Sequence, residues 1–286
     1  MSVIATPTRP RWAPNVGLRR LDPVLTVVTV LLLALVVIAV LAPLVAPYPP
    51  DQIDILHANE APSSAHLLGT DSLGRDILSR LIFGARLTFL GPTLIILLAT
   101  FTGVLLTISA VWLGGFYDRV VSRGLDILFA IPGLLVAVIA VAIIGPGLIA
   151  PVLALALAYT PYIARVLRSV ALRERHLAYI EAGVQMGLSG WAICRRHLLP
   201  NVMPMVRAQA ALAFGAALID LSAVSYIGLG VQPPAAEWGV MVADGQAALL
   251  NGYPWEALSA GVAIVVVVLL VNIAGERLAE RLEGRS

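Results

Sequence analysis

The sequence predicts an all-α integral membrane protein with six transmembrane helices and cytoplasmic N- and C-termini. Three observations support this fold class: an apolar composition, six long apolar stretches, and arginines concentrated in alternate connections. Of the 286 residues, 59% are hydrophobic and 13% are charged. Soluble domains are typically about 25% charged, so this composition indicates a lipid environment.

The six stretches each approach the roughly 20 apolar residues that a spanning helix needs. They cover residues 24–46, 87–112, 125–144, 148–167, 208–230 and 257–275. The first stretch is longer than the apolar core of a signal peptide, and no clean cleavage site follows it. The predicted organisation is a cytoplasmic tail at 1–23, the first helix at 24–46, an extracytoplasmic segment at 47–86, a core at 87–276 with five helices, and a cytoplasmic tail at 277–286.

Two links between these stretches carry further information. Gly145-Pro146-Gly147 is too short a connection for anything but a hairpin between the third and fourth helices. The segment 231–256 holds prolines and tryptophans that suit a membrane interface.

The arginines predict the orientation of the helices, because positive residues remain on the cytoplasmic side. Sixteen lie in the two tails, the 114–124 connection and the 165–207 region, and three lie in the 47–86 segment. Both termini are therefore expected in the cytoplasm. All 19 basic residues are arginine, which excludes an ordinary P-loop because its lysine is missing. The single Cys194 excludes an intrachain disulfide.

The polar connection at 168–206 has the periodicity of two short helices. Leu177, Ile180 and Val184 fall on one helical face. Ser189 is a suitable N-cap for a second helix, which Pro200 and Pro204 are expected to end. The pattern predicts a helix–turn–helix along the membrane face. Periodicity alone leaves open an amphipathic helix that only binds lipid headgroups.

The same connection carries Glu181-Ala182-Gly183, then Gly187, then His197-Leu198-Leu199-Pro200. This spacing resembles the EAA loop of binding-protein-dependent ABC-transporter permeases. Two positions depart from that pattern, Gly183 in place of alanine and His197 in place of isoleucine. The histidine followed by Leu-Leu-Pro-Asn is similar to the peptide-transporting branch.

Three further segments resemble that branch, and together the likeness covers about residues 20–283. They are the 66–76 segment ahead of the second helix, Asp126 and Pro132 within 125–132, and the 226–239 segment at the exit of the fifth helix. The resemblance implies the architecture of a type I ABC importer permease, resident in the bacterial cytoplasmic (inner) membrane.

The resemblance also implies partners. These are a second homologous permease, two ABC ATPase subunits, an extracytoplasmic substrate-binding protein, the peptide substrate and membrane lipid, with no nucleic acid. It implies that this chain is not catalytic and binds no cofactor or metal, and that the ATPases use the ATP and magnesium. The ATPase-coupling residues would be Glu181, Ala182, Gly183, Gly187, Trp191, Arg195, Arg196, His197, Leu199 and Pro200, with Trp191 and Leu198 as apolar anchors.

Other polar residues are candidates for the translocation path or the binding-protein contact. Asp220 lies within the fifth helix, where a charge is costly unless it faces protein or water. It is read either as a path residue together with Ser222 and Ser225, or as a helix-packing residue bonded to one of them or to the partner permease. Pro233, Pro234, Glu237 and Trp238 are the candidate contacts for the binding protein.

Two other classes of function compete with a permease subunit. Gly187-Leu188-Ser189-Gly190 matches a rhomboid-protease motif, but that serine lies in a polar loop and all four histidines lie outside the apolar stretches. An ion-coupled secondary transporter would need paired repeats around midplane charges, which are not evident. Short peptides are the favoured substrate, with nickel, glutathione or another small solute as alternatives.

Overall fold

The structure, a computed structural model, describes residues 22–283. Its helices are α1 (Pro23–Val40), α2 (Ala42–Val45), α3 (Ile77–Leu113), α4 (Gly115–Phe129), α5 (Gly133–Ile144), α6 (Ile149–Arg175), α7 (Ala178–Gln185), α8 (Gly190–Ile193), α9 (Leu199–Tyr226), α10 (Trp238–Leu250) and α11 (Trp255–Glu283). A short 3-10 helix spans Ile55–His57, and a π-helical segment, Cys194–Leu198, joins α8 to α9. Within these residues there is no β-strand, only an isolated bridge between Thr70 and Asp76.

Five of these helical segments are long and apolar enough to cross a membrane, and a bent pair, α4 with α5, brings the total to six. The all-α membrane fold is therefore confirmed, but the predicted continuous third span at 125–144 is wrong. The chain bends by 86° between α4 and α5. Pro132 lacks an N–H and disfavours helical geometry at Ile131, so one straight helix cannot pass through this point.

Helices α3, α6 and α9 pack against one another at the centre of the bundle, with α11 against α9 and α1 against α11 and α3. Small side chains permit the close α3–α6 crossing. Gly103 lies against the backbone of Thr160 and Ala164. Thr107 Oγ1 donates to the carbonyl of Ala164, 3.1 Å away. Small residues and such interhelical hydrogen bonds stabilise helix pairs in lipid, where the hydrophobic effect contributes little. The predicted α5–α6 hairpin is confirmed, because these helices pack together across residues 145–148.

Helix α3 begins ten residues before the predicted boundary at 87, so Arg80 and Arg86 are helical and not part of a loop. Asp76 caps the helix by accepting from the backbone N of Ser79 at 2.8 Å. Arg86 donates from Nε and Nη2 to the carbonyls of Ala39 and Val40, both at 2.7 Å. It thereby satisfies backbone acceptors at the end of α1. Hydropathy alone places these arginines outside a span.

Three further boundaries differ from the prediction. The 114–124 connection is helical, as α4, and the segment 231–256 contains α10. Pro200 and Pro204 do not end a helix, because α8, the π-helical segment and α9 form one helix from Gly190 to Tyr226. Pro200 is accommodated inside this helix because the π-helical turn just before it changes the hydrogen-bond register to i→i+5, with Leu199 N donating to the carbonyl of Cys194. The predicted tail at 1–23 falls almost wholly outside the described residues, as do residues 284–286 of the C-terminal tail.

Candidate functional site

The segment from α7 to α8 forms an exposed projection at the arginine-rich end of the bundle. Helix α7 is attached by two buried residues, Ile180 and Gly183. Gly183 lies in ordinary van der Waals contact range of Leu188 and Ile193. Gly187 has φ +77°, a conformation that favours glycine, and ends α7 in a tight turn. The predicted helix–turn–helix is present here as a short anchored knob.

The N-cap predicted for the second helix is confirmed. Ser189 Oγ accepts a hydrogen bond from the backbone N of Ala192 at 3.3 Å, and the continuous 190–226 helix follows. Within the motif, Glu181, Ala182 and Gly187 are exposed together on the knob. Leu199 is half-buried and Pro200 exposed, but both lie more than two turns along the following helix and not on the knob.

The exposed surface of the knob is unusually apolar. Val184, Met186 and Leu188 have 54%, 73% and 38% of their side-chain surface exposed. Arg195 and Arg196 are exposed close by in the chain, and the His197 ring lies 5.9 Å from that of Tyr179. An exposed apolar cluster rimmed by polar residues is typical of a protein-binding surface.

One predicted anchor is wrong. Leu198 is 1% exposed and packs in the chain's own core with Ile163, Leu167 and Val202. It cannot contact a partner. Trp191 is 75% exposed, but it lines a groove along α3, as does Arg195. The predicted common face of Trp191, Cys194 and Leu198 is not observed as one surface, because Trp191 is exposed along the groove whereas Cys194 and Leu198 pack in the core.

The base of the knob is fixed to the ends of α3 and α6. The Arg175 guanidinium donates to the carbonyl of Val111 and lies 5.8 Å from the centre of the Trp112 ring. Gly190 lies so close to Trp112 that an added Cβ would be 2.2 Å from the indole nitrogen. Burial and a hydrogen bond to Glu174 raise the pKa of the Tyr179 hydroxyl.

Two glycine replacements are expected to have opposite effects on thermal stability. Gly183→Ala should leave the melting temperature equal or raise it, because the new Cβ makes ordinary contacts and alanine favours a helix by about 1 kcal/mol. Gly190→Ala should lower the melting temperature, because Trp112 must move, at about 1–3 kcal/mol. Thermal unfolding of the purified protein in detergent measures both. Equal destabilisation by the two would contradict this packing.

Asp220 has a partner that was not predicted. Its Oδ2 accepts from the Tyr159 hydroxyl on α6 at 2.9 Å, and the side chain is half-buried. Ser222 and Ser225 are buried against the 230–239 segment, beside Gly239 and Gly230 respectively. The three residues therefore do not form one surface, and only Asp220 remains a candidate for the translocation path.

Two of the four predicted binding-protein contacts are buried. Glu237 is 1% exposed and caps α10, accepting from Val240 N and from the Thr88 hydroxyl, both at 3.1 Å. Burial raises the pKa of this carboxyl, against the effect of its hydrogen bonds. Trp238 is 3% exposed and donates to the carbonyl of Leu81 at 2.9 Å. Pro233 and Pro234 are exposed and stay candidates.

A buried charge cluster at the opposite end of the bundle was missed. It consists of Asp71, Arg75, Arg80, Asp244 and Glu256, which come from the 66–76 segment, α3, α10 and α11. Asp71 Oδ2 accepts from Arg75 Nε at 2.6 Å, and Asp244 lies 3.8 Å from Arg80. Burial raises the pKa of the Asp244 carboxyl, while Arg80 and Arg75 lower it. The sequence marks Asp71 and Arg75 as a conspicuous turn but gives no sign of their partners more than 160 residues later.

Within residues 22–283 no group of three or more His, Cys, Asp or Glu side chains is placed to hold a metal ion. The bundle defines a class of protein, an all-α protein whose long apolar helices can cross a membrane several times. Residues 99–286 match the family described as "Binding-protein-dependent transport system inner membrane component". Residues 23–62 match the N-terminal transmembrane domain of oligopeptide transport permease C. The chain belongs to the first of these families, and is thus an inner-membrane transport permease.

Curated relatives support the same assignment. The chain is 35% identical over 227 residues to the glutathione transport system permease protein GsiD of Pectobacterium atrosepticum, covering 79% of this chain and 75% of the relative. It is 32% identical over 279 residues to "Probable D,D-dipeptide transport system permease protein DdpC" of Escherichia coli, covering 98% and 93%. It is 33% identical over 226 residues to the dipeptide transport system permease protein DppC of Alkalihalophilus pseudofirmus, covering 79% and 74%.

The fold also resembles a solved transporter. An inward-facing structure of the MetNI methionine ABC transporter superposes with a TM-score of 0.54 at 23% identity, covering 72% of this chain and 95% of that chain. At this identity the likeness extends to the fold only.

Proposed function

We propose that this chain is the permease subunit of an ATP-driven importer and that ATPase subunits dock on the α7–α8 knob. The observation that carries the proposal is the exposed apolar cluster of Val184, Met186 and Leu188 beside Glu181. Its backbone is held in place by the buried Ile180 and Gly183. A rigid, apolar, charge-rimmed projection at the end of a membrane bundle suits docking of a soluble protein.

The proposed orientation places this knob in the cytoplasm and the buried charge cluster outside. Arg119 and Arg123 of α4 lie at the same end as the knob, because Asp118 of α4 pairs with Arg168 of α6. The positive-inside rule then assigns that end to the cytoplasm. The opposite end, formed by residues 47–76 and 231–254 with Pro233 and Pro234 exposed, would receive the substrate-binding protein. A second permease would complete the path beside Asp220.

Short peptides are the proposed substrate. The named relatives include dipeptide permeases, and the chain aligns with one of them over almost its full length. Glutathione, itself a small peptide, is the second candidate because another relative carries that name. Uptake of a labelled dipeptide, competed by unlabelled dipeptides or by glutathione, distinguishes the two: the better competitor at equal concentration is the better substrate.

The first experiment is to purify this chain from native membranes in mild detergent and to identify what accompanies it by mass spectrometry. A second permease, P-loop ATPases and a binding protein are expected. Recovery of this chain alone, still able to transport when reconstituted without ATP, would overturn the proposal in favour of an ion-coupled carrier.

Disruption of the knob is expected to uncouple the ATPase. The double variant Glu181→Lys with Gly187→Asp should reduce co-purified ATPase and ATP-driven uptake strongly, while the permease still inserts in the membrane. Gly252→Asp is the matched control: Gly252 also has a positive φ with open space around it, but lies beyond α10 at the other end. The control should keep its ATPase. Full uptake and normal ATPase recovery in the double variant would refute the docking site.

A further inference from the structure

A groove runs along the membrane face of the bundle between α3 and the 190–226 helix. Its volume is about 720 Å³. One wall extends from Leu97 to Leu113, and the other from Gly190 to Met203. At 1.5 Å per residue these walls are about 20–24 Å long, somewhat longer than the roughly 15 Å that one leaflet of hydrocarbon occupies.

The two ends of the groove differ in chemistry. Leu97, Phe101 and Leu105 line the deeper part and are 57–68% exposed, as expected for side chains that meet acyl chains. The end near the knob carries Trp112, Trp191 and Arg195. The contact of Gly190 with Trp112 fixes this end. Tryptophan is enriched at the headgroup level of a bilayer, and arginine near a helix end extends its guanidinium to that level.

The charge at the headgroup end is uncompensated. Arg195 is exposed and makes no ion pair with any described residue, and no acidic side chain lines the groove within residues 22–283. Arg175, 5.8 Å from the Trp112 ring, belongs to a separate depression that it shares with Glu181, so Arg195 is the charge that faces the groove. A molecule that is apolar along about 15 Å and anionic at one end matches this arrangement.

We infer that the groove binds an anionic phospholipid, with one acyl chain along α3 and the headgroup phosphate at Arg195. Basic pockets between transmembrane helices bind such headgroups. This assigns Arg195 and Trp191 to lipid and leaves ATPase docking to the α7 side of the knob. The site does not depend on the identity of the transported solute.

The test uses the complete transporter, delipidated in detergent and titrated with phosphatidylglycerol or phosphatidylethanolamine, with bound lipid counted by native mass spectrometry. Phosphatidylglycerol should bind more tightly. Arg195→Gln should weaken its binding about fivefold, the effect of one arginine near an anionic headgroup. Arg196→Gln is the matched control, since Arg196 is equally exposed but does not line the groove, and it should bind normally. Equal binding of the two lipids, or no difference between the two arginine variants, overturns the inference.

A second measurement separates lipid from protein as the occupant. Phe101→p-benzoylphenylalanine places a photoreactive group in the groove of the intact transporter. A mass increase equal to one phospholipid after illumination supports the site. Cross-linking to the second permease would overturn it and make the groove a subunit interface. If Arg195→Gln bound lipid normally but no longer co-purified with the ATPase, the inference would also be overturned, and Arg195 would be assigned to the ATPase-docking surface.

Discussion

Arg80→Met is expected to prevent stable folding of the end of the bundle that holds the buried charge cluster. Arg80 is fully buried, donates weakly to the carbonyls of Pro50 and Pro234, and lies among Asp71, Asp244 and Glu256. Neither Glu256 oxygen has a hydrogen-bond partner among the described residues. Removing Arg80 leaves the buried Asp71 and Glu256 carboxyl groups and the partly exposed Asp244 against Arg75 alone. Breaking such a buried arrangement costs about 3–5 kcal/mol. That loss is comparable with the stability of many domains.

The measurement is the amount of full-length protein in the membrane and its unfolding temperature in detergent. Arg86→Met provides the control on the same helix, because the exposed Arg86 side chain caps α1 and contacts the Phe83 ring but makes no buried ion pair. The control should lose about 1 kcal/mol. Adding Asp244→Asn to Arg80→Met should restore part of the lost stability. If Arg80→Met unfolds at the wild-type temperature, the cluster does not stabilise the fold.

Gly74→Ala is expected to displace the segment that carries Asp71. Gly74 has φ +75°, and a Cβ there would lie 1.7 Å from the carbonyl oxygen of Asp54. Because the clashing atom belongs to the backbone, the clash can be relieved only if the whole turn moves. Asp71 holds this turn by accepting hydrogen bonds from the backbone N of Leu73 and Arg75. The effect should exceed the roughly 1–2 kcal/mol that a left-handed conformation costs alanine.

Gly187→Ala is the control that measures only the cost of a left-handed backbone conformation. Like Gly74, Gly187 has a positive φ, but nothing lies within 4 Å of the Cβ that alanine would add. Limited proteolysis of the 47–76 segment and thermal unfolding should show severe disruption for Gly74→Ala and a mild loss for Gly187→Ala. Similar behaviour of the two variants would indicate that the turn is adaptable.

The sequence predicts the helical class and the position of the knob well, because both depend on local patterns. The apolar stretches are continuous over many residues, and Ser189 and Gly187 have direct roles in capping and turning the backbone. The predicted helix boundaries are wrong where charged residues are helical. Arg80 and Arg86 lower the local hydropathy at the start of α3, but they remain in the helix because carbonyl groups elsewhere in the chain accept their hydrogen bonds.

Burial is the property that the sequence predicts least. Glu237 and Trp238 look like surface residues of a proline-rich loop, but Thr88 and Leu81 of α3 supply their hydrogen bonds and cover them. Asp220 was expected to bond along its own helix or to another subunit, whereas its partner, Tyr159, lies 61 residues earlier. Such pairings arise from tertiary packing, and no local pattern encodes them.

The unbroken helix from Gly190 to Tyr226 has a mechanical consequence. Its first residues belong to the knob, and Asp220 lies about 45 Å further along the same rod. If this helix pivots about its knob end by about 5°, Asp220 moves by about 4 Å. That displacement is enough to separate its carboxylate from the Tyr159 hydroxyl. The helix would then act as a lever. A small rotation at its knob end would become a displacement of the Asp220 side chain near its opposite end. Its most compliant point would be the π-helical turn at Cys194–Leu198.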